Sequence, residues 1–140
     1  MTVLVSRNPL YTQLLDLDLP QGDYAVFGSG PMFAHDLLES PHDIDLIARG
    51  VAWDRLRAIA ETFGALESPD HLTLFSGSIE AFTTWKPGAW DIDELIDSAE
   101  CIDGVPFVQL RLVLRWKRRI NRPKDALHCR IIEDYFRAGP

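Results

Sequence analysis

Tyr24-Ala25-Val26-Phe27-Gly28-Ser29-Gly30-Pro31, with His42-Asp43-Ile44-Asp45-Leu46 opening thirteen residues after Ser29, sets the plan of this chain. The run from Asp23 to Phe27 is short, apolar and closed by a glycine, so it reads as a buried strand. Gly28 and Gly30 let the backbone bend and approach a ligand closely. Pro31 suits the first turn of a helix. The turn therefore runs into a helix N-terminus, where free N–H groups and the helix dipole favour a phosphate. Ser29 adds a hydroxyl donor. The sequence is neither a Walker A loop nor GxGxxG.

Asp43 to Ala48 reads as the second strand. Side chains alternate faces along a strand, so Asp43 and Asp45 point the same way, with Cα atoms roughly 6.5–7 Å apart. Ile44 and Leu46 anchor the opposite face. Two carboxylates so placed can converge on a hard cation, and Mg²⁺ takes a few carboxylates, waters and substrate phosphates. Alone, an Asp-x-Asp also occurs at solvent-facing strand starts, and a Gly-Ser-Gly is also an ordinary turn. Their order, each at a strand end, points to a site where phosphate and metal meet. Ile79-Glu80-Ala81-Phe82 offers a third acid. Two readings of Glu80 stand. A buried acid would need a partner or a metal. Alternatively it lies on the solvent face of an edge strand.

Outward from this centre, Asn8-Pro9 opens a first helix with Asn8 as cap and Leu10, Leu14 and Leu15 as its apolar stripe. A second helix is expected over Pro31–Leu38, with Met32, Phe33 and Leu37 inward. A third runs over Trp53–Phe63, with Leu56, Ile59, Ala60 and Phe63 at helical spacing and Gly64 as its C-terminal cap. His71–Phe75 and Ser78–Thr84 form a hairpin about Ser76-Gly77. Asp91–Ser98 is a short acidic helix. Cys101–Phe107 is a small hairpin with an Asp103-Gly104 turn. Val108–Arg119 fits both a strand and a helix. Pro123 opens a last helix to about Phe136, with Leu127, Ile131, Ile132 and Tyr135 inward. The order indicates an α+β fold, a mixed twisted sheet with helices packed on it.

A chain of 140 residues, 46% apolar and 25% charged, is one ordinary globular domain spanning residues 1–140. No apolar run approaches the roughly 20 residues that span a bilayer, and Met1–Arg7 lacks the pattern of a signal peptide. A cytoplasmic protein is expected. Cys101 and Cys129 show no metal spacing and read as free thiols. A net charge of −7 argues against a general nucleic-acid surface and favours a cationic small-molecule or protein acceptor. The basic run Arg111, Arg115, Lys117, Arg118, Arg119, Arg122, Lys124 is the local exception. It reads mainly as a solvated helix end.

These parts resemble the nucleotidyltransferase superfamily of polymerase-beta-like proteins, in particular its small single-domain bacterial members of the AbiEii type. The family pattern is an apolar strand with Gly-Ser, a helix, Asp-h-Asp-h and a later strand with a third acid. Here these are Val26-Phe27-Gly28-Ser29, Asp43-Ile44-Asp45-Leu46 and Ile79-Glu80-Ala81-Phe82. Lys117 and Arg122-Pro123-Lys124-Asp125 match a lysine-bearing helix and a following Lys-Asp. That likeness decides Val108–Arg119 for helix, and it spans about Tyr24 to Phe136. Gly30-Pro31, Glu80 in place of Asp, and His128 in place of a second Asp depart from the pattern.

The resemblance implies metal-dependent transfer of a nucleoside monophosphate from a nucleoside triphosphate to an acceptor hydroxyl. Asp43 and Asp45 would hold two Mg²⁺ ions. Glu80 would bind the second or act as base. Gly28, Ser29, Gly30, Lys117 and Lys124 would hold phosphates. A homodimer with an acceptor cleft between subunits would suit so small a chain. The rival reading is a catalytically silent domain of the same fold that binds a nucleotide or a protein partner, in an antitoxin-like or regulatory role.

Overall fold

The computed structural model describes residues 5–139. The first four residues of the N-terminal stretch read above for a leader lie outside it. The described residues form an α+β fold with six α-helices and a seven-stranded mixed open sheet. The helices are α1 (Pro9–Asp16), α2 (Gly30–Ala34), α3 (Gly50–Phe63), α4 (Ile92–Asp97), α5 (Leu110–Ile120) and α6 (Pro123–Ala138). The strands are β1 (Tyr24–Val26), β2 (Ile44–Ala48), β3 (Gly64–Ser68), β4 (His71–Leu74), β5 (Ile79–Phe82), β6 (Glu100–Ile102) and β7 (Val105–Phe107). Their order across the sheet is β3-β4-β5-β2-β1-β7-β6. No helix among the described residues is long and apolar enough to cross a membrane.

Strand alternation splits the core in two. On one face Val26, Leu46, Ala81 and Leu72 pack against Tyr11 and Leu14 of α1 and Trp53 and Leu56 of α3. On the other, Ala25, Phe27 and Ile47 meet Leu95 and Ile96 of α4, Val113 and Trp116 of α5, and Ile132 of α6. Asp45 and Glu80 alternate with Leu46 and Ala81, so they sit on the second face, under α5 and α6. The ambiguous stretch is helix: Leu110, Val113 and Leu114 are buried, and Asn121 closes α5 in the left-handed region.

Several expectations need correction. Gly64 caps α3, its N–H donating to the Ala60 carbonyl, but without the left-handed turn usual for a glycine cap. It is extended, at φ −167°, and begins β3, an edge strand with all five residues exposed. A Cβ there would lie 1.9 Å from the Thr73 carbonyl oxygen, so the glycine lets two strands close. Phe63 and Leu127, expected inward, are exposed; Phe63 keeps the angle of the buried stripe but is the last residue of α3, beyond its last buried residue, Ala60. Helix α2 is one short turn ending at Ala34 rather than Leu38, where Asp36 turns the chain with positive φ.

Candidate active site

The glycine turn and the first carboxylate are built into one another. The Phe27 N–H donates to the Asp45 carbonyl at 2.9 Å, tying the end of β1 to β2. Gly28 follows at φ +63°, and a Cβ there would stand 2.7 Å from Asp45 Oδ2. A side chain at position 28 would take the space the carboxylate occupies. Gly30 is needed for packing instead: its Cβ would lie 2.3 Å from Val26 Cγ1, and its N–H donates to the Phe27 carbonyl at 3.3 Å. Between them, Ser29 Oγ accepts a hydrogen bond from Lys117 Nζ at 3.0 Å.

Glu80 lies beside Asp45. The strands β2 and β5 run parallel with Asp45 opposite Glu80. Asp43, just before β2, is exposed. All three acids line one cleft of about 530 Å³ with Gly28, Ser29, Gly30 and Lys124. Asp45 is pushed up to about 7. Burial is the main cause and the neighbouring Asp43 and Glu80 charges add to it, while Lys124 and His71 pull it back. The edge-strand reading of Glu80 does not hold, since β5 lies between β4 and β2. Glu80 is half-buried, and His71 Nε2 meets its Oε1 at 2.9 Å.

The basic residues separate by role. Lys124 is exposed in the cleft. Lys117, expected at a phosphate, is fully buried beneath the cleft, and its ammonium bonds Ser29 and Asp125, the latter at 3.3 Å. Burial pushes the Lys117 ammonium down, and Asp125 works against that. Its contact with the turn is therefore structural, holding Ser29 from below. Asp125 is equally buried. Burial alone would raise it, yet Arg122 holds it down to about 2 through Nε–Oδ2 at 2.7 Å, Nη2–Oδ1 at 3.1 Å and the backbone N–H at 3.0 Å. These bonds cap the start of α6, and the Lys117–Asp125 contact ties it to α5.

Sequence reasoning missed His71 and Arg122 as members of the site. Arg122 lines the cleft, and its guanidinium lies 5.7 Å from the Trp116 ring centre. A second cleft of about 510 Å³ opens beyond the acids and shares Asp45, Glu80, Trp116 and Arg122 with the first; His71 and Lys86 line its far side. The Arg-Pro-Lys-Asp spacing signals the helix start that places Arg122. No local signal marks His71. His128 also lines the first cleft, with Nδ1 buried and unpartnered. Burial lowers its pKa, and Lys117 adds to that.

Among the described residues no set of three or more His, Cys, Asp or Glu side chains is gathered as a ready metal cage. The donor chemistry still suits a hard divalent cation. Asp43 and Asp45 offer oxygen ligands, and Asp45 is crowded by like charge that a cation would relieve. Mg²⁺ commonly takes one or two carboxylates and completes its shell with waters and substrate phosphates. Comparison with family models, curated proteins and solved structures found no match.

Proposed function

We propose that this chain transfers a nucleoside monophosphate from a nucleoside triphosphate to an acceptor hydroxyl, with divalent cations at Asp43 and Asp45. One observation carries the reading: the glycine turn leaves its side-chain space to the Asp45 carboxylate, while Glu80 stands in register across from it. Phosphate and metal ligands are thereby offered from adjoining strand ends in one cleft. Bound Mg²⁺ would supply charge for the triphosphate and lower the pKa of the acceptor hydroxyl. Lys124 and Arg122 bring positive charge to the same cleft. Ser29, steadied by Lys117, presents its hydroxyl at the turn. Glu80, which lines both clefts, would accept the acceptor's proton.

The test is binding of the four ribonucleoside triphosphates with Mg²⁺ or Mn²⁺, in the wild type and in Asp43→Asn/Asp45→Asn. Metal-dependent binding that vanishes in the double variant is the expected result. No binding at millimolar nucleotide, or binding indifferent to the substitutions, would overturn the reading. Binding without turnover on any acceptor would favour the silent, nucleotide-binding alternative.

A further inference from the structure

We infer that His71 is a positioning residue for Glu80: it grips one carboxylate oxygen and leaves the other directed to the Asp43/Asp45 cleft. The inference rests on the transfer reading above and extends it to a residue outside the acid pattern.

The pairing is set by strand register. In the antiparallel β4–β5 pair, His71 lies opposite Phe82 and Thr73 opposite Glu80. His71 and Glu80 are thus diagonal neighbours on one face, within reach of long side chains. The imidazole Nε2 sits 2.9 Å from Glu80 Oε1. A carboxylate only accepts hydrogen bonds, so Nε2 carries the proton in this contact. The ring does not swing freely. It stacks on Phe82 with centres 4.4 Å apart and planes 6° apart. Phe82 meets Trp85 edge-on at 5.5 Å, and Trp85 stacks on Phe27 at 4.5 Å and 8°. Phe27 is the residue before the glycine turn. One aromatic row therefore runs from the partner of Glu80 to the turn that houses Asp45, so both halves of the acid site share a support.

Without His71, Glu80 would sample its rotamers beside two other acids and be repelled from both. With it, one oxygen is fixed and the acid remains next to Asp45. Partners of this kind behind a metal-binding group commonly change metal affinity by roughly 10–100-fold.

The experiment is calorimetric titration with Mn²⁺ alone and with Mn²⁺ plus each of the four ribonucleoside triphosphates, on variants whose fold is checked by thermal melting. We expect His71→Leu to weaken metal-dependent nucleotide binding by about 10–100-fold, as Glu80→Gln does. His71→Gln, which keeps an amide donor at similar reach, should stay within about threefold of wild type on the same scale. The His71→Leu/Glu80→Gln double variant should be no weaker than Glu80→Gln, because both remove one interaction. His71→Leu binding like wild type while Glu80→Gln is weakened would overturn the inference, as would effects that multiply in the double variant. Should His71→Leu not fold, His71→Asn, whose amide is too short to reach, takes its place against His71→Gln. A wild type without metal-dependent binding, or an Asp43→Asn/Asp45→Asn variant that binds as well, would instead overturn the transfer reading itself.

Discussion

Asp45 and Asp125 are both carboxylates drawn away from water, and the chain treats them in opposite ways. At the α5–α6 joint, Asp125 receives three hydrogen bonds from Arg122 and a contact from Lys117. It is held down to about 2 against its own burial. At the ends of β2 and β5, Asp45 is given two more acids as neighbours and is pushed up to about 7, chiefly by burial. A buried acid that the chain neutralises itself is architecture. A half-buried acid that the chain surrounds with more acid is the arrangement on which the proposal of a cation from elsewhere rests.

The sharpest way to break that contrast is to remove the architectural acid. Asp125→Ala leaves the fully buried Lys117 without its counter-charge, and loss of one partner of such a pair costs about 3–5 kcal/mol. Urea unfolding should show it, together with a looser Ser29 turn. The second test uses pH. Asp45 has a folded value of about 7 against an ordinary 3.8. Between those values the folded state keeps a proton that the unfolded chain has released, so stability falls as pH rises through that window. Asp45→Asn should remove the fall, gaining about 1–3 kcal/mol at pH 7.5 and little at pH 4. Asp125 has the other sign: its stabilisation is full above its ordinary 3.8 and is lost as pH falls toward 2. Unfolding curves at stepped pH in the two backgrounds separate these slopes.

Gly28→Ala comes third. It forces a side chain into the left-handed region, at about 1–2 kcal/mol, and into Asp45 Oδ2. Metal-dependent nucleotide binding should fall by more than that stability loss accounts for. Lys124→Met is the smallest in stability, within about 0.5 kcal/mol for an exposed side chain. It should still raise the Asp45 pKa further, because Lys124 is one of the charges that lower it. A carboxyl NMR titration reads that shift directly. Lys117 and Lys124 would then differ as the two acids do.

The parts of this contrast that depend on strand parity were legible from residue order. Asp43, Asp45 and Glu80 lie one or two residues from strand ends, where alternation alone sets the face. The α1 cap at Asn8 was legible too, and its side chain accepts the Leu10 N–H at 2.9 Å. What failed depends on which strands neighbour one another. Gly64 caps α3, as its place after a periodic helix suggests, but that it also starts an exposed edge strand depends on the nearness of Thr73. Phe63 and Leu127 carry the right spacing for a core, but coverage by a neighbouring element is not a property of spacing. His71 meets Glu80 through a nine-residue hairpin register. Lys117 looked like a phosphate ligand because burial, which makes it structural, is invisible in a basic run.

The bond from Lys117 to Ser29 joins residues 88 apart in the chain. On a ribosome the glycine turn and all three acids are made well before α5 exists. The nascent chain therefore carries its cluster of acids without the ammonium that steadies the turn beside them. The Ser29 turn gains this support only after α5 has been made and has folded back onto it, so the cleft matures later than the segments that carry its acids.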